Sequence, residues 1–202
     1  MPAPITKIGQ ESIAKAVGIV GKGGLVVYPT DTVYGLGADP FNEKAVHRLF
    51  EAKGRSAKPV PVLCSSLQKA GELVELSENG VKLARDHWPG ALTLVAPLRK
   101  RLPSTLTLGT GNLGVRVPAH QGCLELISAC GGWLTGTSAN ISGRPSARTA
   151  EEAATQLGDA VDLILDGGPL VGKESTVALV VGDEVTILRS GPIGVREERK
   201  RR

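Results

Sequence analysis

Apolar residues recur at three- and four-residue spacing early in the chain and then give way to short continuous apolar runs. Ile13, Ala16, Val17 and Val20 form a helical stripe behind Ser12, a residue suited to capping, and Gly23-Gly24 ends it. Leu25-Val-Val-Tyr28 reads as a buried strand, and Pro29-Thr-Asp-Thr-Val-Tyr-Gly-Leu-Gly37 as a loop rich in hydroxyls and glycine. Ala45, Val46, Leu49 and Phe50 share one face of a second helix, which delivers Lys53 at an exposed end and is broken by Gly54 and Pro59. The run over 60–64 predicts a strand, followed by helical patterns near 67–74 and 78–87, the latter stopped by Trp88-Pro-Gly90. Further strands are predicted over 91–96, 114–118, 133–137 and 162–166, and a helix over 122–130. Thr149 with Glu152 makes a capping box for a helix through about Leu157. Segments 176–181 and 184–188, joined by Gly182-Asp183, predict a terminal hairpin. Alternating strands and helices followed by a hairpin predict an α/β fold, a mixed sheet covered by helices.

Composition narrows this picture. The 202 residues are 41% hydrophobic and 22% charged, which fits one domain or at most two small ones, and with no internal repeat or low-complexity linker a single domain over 1–195 is the simplest partition. Aromatics are only 3% while Gly (26) and Pro (13) are frequent, so the core must be Val, Leu, Ile and Ala between tight turns. Three cysteines, Cys64, Cys123 and Cys130, without Cys-x-x-Cys spacing, support neither a disulfide framework nor a zinc site. No leader-like start and no long apolar span is present, so a cytoplasmic protein making no membrane contact is expected. The net charge of +4 is concentrated at the end of the chain: residues 196–202 carry five cations against Glu197 and Glu198, leaving +1 for residues 1–195. That segment is expected to be a flexible basic tail, solvated or touching RNA.

Candidate chemistry centres on Lys53-Gly-Arg-Ser-Ala-Lys58, three cations within six residues at the end of an anchored helix. Lysine gives a compact charge and arginine a fork of donors matched to phosphate oxygens, so the stretch suits a polyphosphate; a solvated basic turn is the plain alternative. Thr30 and Thr32 could hold a small polar ligand or form an ordinary turn. Arg116 lies between Val115 and Val117 on a predicted strand, so it faces away from them and needs an acidic partner, a ligand or solvent. Arg99-Lys100-Arg101 reads as a solvated turn. Two nucleotide patterns fail on context. Gly109-Thr-Gly-Asn-Leu-Gly114 runs into a strand where a dinucleotide fingerprint needs a helix, and Gly167 to Lys173 is followed by Glu174 where a phosphate loop needs Ser or Thr. His47, His87 and His120 have no metal-ligand spacing, and Ser138 does not sit in a nucleophile elbow.

Taken together, Pro29 to Gly37, Lys53-Gly-Arg55 with Lys58-Pro59, Trp88-Pro-Gly-Ala-Leu-Thr-Leu94 and Val115-Arg-Val-Pro118 resemble the YrdC/TsaC family of threonylcarbamoyl-AMP synthases. The likeness continues through Thr137-Ser-Ala-Asn-Ile-Ser-Gly143, Asp166-Gly-Gly168, Glu174-Ser-Thr176 and Ile187-Leu-Arg189, in family order across residues 25 to 191. The resemblance implies a YrdC-like twisted mixed parallel/antiparallel sheet flanked by helices. It also implies an enzyme that joins L-threonine, bicarbonate or carbon dioxide, and ATP into threonylcarbamoyl-adenylate and pyrophosphate, with Mg2+ accompanying ATP, for the t6A modification of tRNA by a downstream threonylcarbamoyl-transferase machinery. By the same likeness Thr32, Arg116, Ser138 and Ser175 contact threonine. Lys53, Arg55, Lys58, Asn112, Asn140, Ser146 and Arg189 hold the nucleotide, with Lys53 and Arg55 as the catalytic cations and no protein metal ligand. Two departures stand out: Arg189-Ser-Gly191 where the family usually has Arg-Pro-Gly, which loosens the turn, and Cys64 where some relatives place a polar residue near the threonine pocket. The competing reading is a non-catalytic module binding double-stranded RNA or tRNA; a third is a related adenylate-forming enzyme acting on another amino acid.

Overall fold

The structure, a computed structural model, describes residues 2–54 and 58–197. The first apolar stripe becomes α1 (Gln10–Gly21), burying Ser12, Ile13, Ala16 and Val20. Ser12 is not its cap. Gly9 occupies that position, and the Ser12 hydroxyl sits one turn inside, where it accepts from Gly9 N–H at 3.0 Å. The second stripe becomes α2 (Glu43–Ala52), capped by the Asn42 side chain, which accepts from the N–H groups of Lys44 and Ala45. Its buried residues are Ala45, Val46 and Leu49. The predicted helices near 67–74, 78–87, 122–130 and 149–157 appear as α3 (Leu67–Leu73), α4 (Glu78–His87), α6 (Gln121–Ala129) and α7 (Ala150–Leu157), with a one-turn α5 (Ser104–Thr107) between α4 and α6 that no periodicity could announce.

The strands are mixed in direction and divide between two sheets. The first runs β1 (Ile5–Lys7), β9 (Leu163–Asp166), β2 (Val26–Tyr28), β3 (Gly35–Gly37), β8 (Thr137–Ser138). β1, β9 and β2 are parallel, while β3 is antiparallel to both β2 and β8. The second runs β11 (Glu184–Arg189), β10 (Thr176–Val181), β5 (Leu92–Pro97), β6 (Asn112–Arg116), β4 (Val62–Cys64), β7 (Trp133–Thr135). Here β5 is parallel to β10 and antiparallel to β6, and β10 and β11 form the expected terminal hairpin.

Two sequence expectations change here. The predicted loop 29–37 ends in a strand, β3. The single strand predicted over 133–137 is cut at Gly136: Thr135 pairs with Val62 in the second sheet, and Thr137 with Leu36 in the first. A Cβ at Gly136 would lie 2.5 Å from Leu63 Cγ, so only glycine fits where the chain changes sheet. Thr135 binds the two sheets together, donating its N–H to Ala38 O at 3.0 Å and accepting Ala38 N–H on Oγ1 at 2.8 Å, while Tyr28 Oη donates to Thr135 O at 2.6 Å.

Core residues form a large central cluster, including Leu36, Leu49, Leu94 and Val115, and a smaller one of α1, α6 and the first sheet, including Ile13, Tyr28, Leu126 and Leu163. Truncating a Leu to Ala in such a core costs about 2–5 kcal/mol. Cys64 and Cys123 are wholly buried there, and burial pushes both thiols up. Cys64 therefore belongs to the core and presents no thiolate to a ligand. Among the described residues no helix is long and apolar enough to cross a membrane.

Candidate functional site

Arg116 is the last residue of β6, and the guanidinium is held from three directions. Nε donates to Gly90 O at 2.8 Å, Nη1 to Thr32 Oγ1 at 3.2 Å and Nη2 to Asp31 Oδ1 at 2.6 Å. The acidic partner that an inward-facing arginine requires is thus Asp31, with side-chain exposures of 6% for Arg116 and 14% for Asp31. The hydroxyls behind it are ordered in direction. Thr30 Oγ1 donates to Val33 O at 2.7 Å, so the 2.9 Å contact between Thr30 and Thr32 is donated by Thr32, whose oxygen in turn accepts from Arg116. Gly90 earns its place by space: a Cβ there would collide with His87 O, and its carbonyl is one of the three oxygens that fix Arg116.

Continuing the β5–β6 register one step past the Leu94–Val115 pair sets Thr93 opposite Arg116 on the same face. Thr93 Oγ1 lies 2.9 Å from Ser175 Oγ, and Ser175 takes Arg189 Nη2 on its hydroxyl at 3.1 Å and Arg189 Nε on its carbonyl at 3.0 Å. Arg189 also pairs with Glu174, Nη1 to Oε2 at 2.5 Å, and the other carboxylate oxygen of Glu174 accepts from Ser146 Oγ at 2.6 Å. Thr93 thus stands beside Arg116 at one end of a hydrogen-bonded series that runs through Ser175, Arg189 and Glu174 to Ser146. The chain beyond β11 packs hard on this region: a Cβ on Gly191 would meet Ser175 C at 2.6 Å, and Thr176 Oγ1 accepts from Ile193 N–H at 3.1 Å. These contacts hold the turn that Ser190, in place of proline, was expected to loosen.

Lys53 does not sit at an exposed helix end. It is 4% exposed, with Nζ donating to Ser138 O at 2.6 Å and Asn140 O at 2.9 Å, and 3.5 Å from Asn140 Oδ1, while its own carbonyl accepts Ser142 N–H at 3.0 Å. Burial pushes the ammonium down to about 8, and the Glu174 carboxylate opposes that shift. Asn140 is oriented in turn by donating to Ile141 O and Arg144 O at 3.0 and 2.7 Å. The lysine is a staple on the 138–142 segment, and its charge is what it offers to the surroundings.

A strap formed by residues 167–174 crosses this site. A Cβ on Gly172 would stand 2.6 Å from Thr32 O, and Gly168 has φ +82°, a left-handed conformation suited to glycine. Tyr34 Oη accepts from Gly167 N–H at 3.0 Å and donates to Gly168 O at 2.8 Å; burial, followed by the nearby Asp166, pushes the phenol up to about 12, so it stays a neutral donor. The segment that mimics a phosphate loop is thus an extended cover anchored by a buried tyrosine.

Of the expected site residues, Thr32 and Arg116 touch directly, Ser175 and Arg189 touch, Ser146 joins them through Glu174, and Lys53, Ser138 and Asn140 form one bonded group. Asn112 begins β6, at the opposite end of the strand from Arg116, paired with Pro97. Lys58 is exposed. Arg55 and residues 198–202 of the tail lie outside the described residues, while Glu197 Oε1 accepts from Ile187 N–H at 3.0 Å. Asp31, Thr93 and Glu174 were not anticipated. The first and third are carboxylates inside the very motifs read as ligand-binding, where a search for cations and hydroxyls passes over them. The Arg99-Lys100-Arg101 turn is less free than expected, since Lys100 Nζ stacks 4.7 Å from the Phe41 ring and 4.9 Å from Trp133, with Lys69 Nζ 4.0 Å from Trp133. Among the described residues no group of three or more His, Cys, Asp or Glu is placed to hold a metal.

The Sua5/YciO/YrdC family, described as telomere recombination, matches the chain over residues 18–191. A threonylcarbamoyl-AMP synthase of Pyrococcus abyssi is 39% identical over 197 residues, covering 96% of this chain; the chain spans only 58% of that relative's length. The P. abyssi Sua5 structure complexed with L-threonine superposes with a TM-score of 0.87 at 39% identity, over 94% of this chain and 57% of its own. Escherichia coli YciO, 28% identical, superposes with a TM-score of 0.86 over 94% of this chain and 96% of its own.

Proposed function

The chain belongs to the Sua5/YciO/YrdC family, and on that premise we propose that it synthesises L-threonylcarbamoyladenylate from L-threonine, bicarbonate or carbon dioxide, and ATP, releasing pyrophosphate, as a step toward t6A in tRNA. The observation that carries this reading is the pair of arginine receptors on one continuous polar face, Arg116 with Thr32 and Arg189 with Ser175, bridged by Thr93. Two anionic substrates that must react with each other need two such receptors side by side. The complex of P. abyssi Sua5 with L-threonine, in a relative of the same fold, supports assigning one of them to the amino acid.

In this reading Arg116 takes the threonine carboxylate through N–H groups beyond the three already engaged, with Thr32 and Ser138 near the polar end of the ligand. Arg189, Ser146 and the charge of Lys53 face the triphosphate, and the family resemblance assigns Arg55 to the nucleotide as well. A carbamate oxygen attacks the α-phosphorus, the bond to the bridging oxygen of the β-phosphate breaks, and pyrophosphate leaves with the electron pair. The chain contributes position and fixed positive charge rather than a proton acceptor. The strap held by Tyr34 excludes water from the adenylate.

The test is pyrophosphate release from ATP with Mg2+ and bicarbonate, with and without L-threonine, and the adenylate followed by mass. Threonine-dependent pyrophosphate with a product of the matching mass is expected. A folded protein that binds ATP yet turns over only with a different amino acid would replace threonine in this reading, and one that binds neither ATP nor threonine would end it.

A further inference from the structure

Three of the residues assigned to the nucleotide, two cations and a hydroxyl, share one anionic neighbour. Glu174 accepts from Ser146 on Oε1 at 2.6 Å, takes Arg189 Nη1 on Oε2 at 2.5 Å, and raises the proton affinity of Lys53 through its charge. Both oxygens of one planar carboxylate are thus spent on groups whose geometry suits phosphate oxygens equally well. The side chains of Arg189 and Glu174 are 46% and 41% exposed, so water can take over either partner when they separate. Arg189 keeps its place without Glu174, because its Nε and Nη2 are held independently by the Ser175 carbonyl and hydroxyl.

We propose that Glu174 is an internal competitor for the nucleotide site: in the free protein its carboxylate occupies the position of a phosphate group, and a phosphate chain binds by exchanging with it. This rests on the nucleotide assignment made above. An anion entering between Ser146 and Arg189 meets donors already engaged, and after the exchange the displaced carboxylate remains a nearby like charge. The exchange weakens binding of ligands whose phosphates reach that place and leaves adenosine, which carries none, unaffected. It also favours departure of pyrophosphate, since the carboxylate is at hand to reclaim its partners.

The measurement is calorimetric affinity for ATP, inorganic pyrophosphate and adenosine, in the wild type and in Glu174→Gln. Glutamine keeps the shape and reach of the side chain, removes its charge and turns one acceptor into a donor, which the Ser146 hydroxyl can accept while the amide oxygen keeps Arg189. ATP and pyrophosphate are expected to bind the variant tighter, by up to about fivefold, the scale of one exposed ion pair given up, with adenosine unchanged. Weaker binding of pyrophosphate by a folded variant would show that Glu174 supports the receptor, and equal tightening of adenosine would show a general effect; either overturns the inference. Should the variant not fold, the wild type reports the same exchange, because the side-chain carboxylate resonance of Glu174 must shift when pyrophosphate is added, and a resonance that stays put overturns it. A wild type that binds pyrophosphate and ATP, with a glutamine variant no tighter, refutes the inference alone. A wild type that binds neither ligand refutes the nucleotide assignment and the inference with it.

Discussion

Two arginine–carboxylate pairs lie on the same polar face and differ chiefly in their access to water. Arg116 and Asp31 are 6% and 14% exposed, with the guanidinium held by Gly90 and Thr32 as well. Arg189 and Glu174 are 46% and 41% exposed. Burying a charged pair costs desolvation that only complete pairing offsets, so the first pair is fixed and the loss of one partner leaves an uncompensated charge. The second gains little from being formed and gives up little on parting. The same two side-chain types therefore make a rigid pair at one end of the polar face and a loosely held one at the other.

The sharpest way to break this contrast is to remove each carboxylate in turn. Asp31→Ala is expected to lower the unfolding free energy by about 3–5 kcal/mol, and Glu174→Ala by no more than about 1 kcal/mol, both from urea titrations. Equal losses would mean that burial does not separate the two pairs. Lys53 lies next in order of effect. Its folded-state value of about 8 is below the ordinary 10.5, so between these limits the unfolded chain binds more protons and the stability contribution of this residue rises with pH. Wild type should accordingly gain stability relative to Lys53→Met as pH climbs from about 8 towards 10, read from denaturation midpoints; a flat difference would place Lys53 in contact with water. The smallest effect is expected at the cover joining the two ends. Tyr34→Phe removes the bonds to Gly167 and Gly168 and should cost about 0.5–1.5 kcal/mol, with faster amide exchange confined to residues 167–174. Protection unchanged there would show that the strap is held by packing alone.

Elements anchored by periodicity were legible in the sequence. Ala45, Val46 and Leu49 are buried on α2 as their spacing implies, and the terminal hairpin follows from two apolar runs around Gly182-Asp183. β1 was not legible because Ile5, Thr6 and Lys7 are all exposed and show no alternation. Nor was the division at Gly136, which depends on Leu63, a residue far away along the chain. The site divides similarly. The need of Arg116 for a partner followed from its place in the strand, but the identity of that partner did not, because Asp31 reaches it only through tertiary packing. Lys53 was expected at an exposed end because a lysine terminating a helix ordinarily points to solvent; here the 138–142 segment folds over it and supplies carbonyls.

The change of sheet at Gly136 has a geometric consequence for the residues on either side of it. Thr135 belongs to the same sheet as Arg116, whereas Ser138, two residues past the glycine, carries one of the carbonyls that grip Lys53. The step from the sheet that carries Arg116 to the carbonyl that grips Lys53 is therefore taken at one joint, a hinge made of a single residue without a side chain.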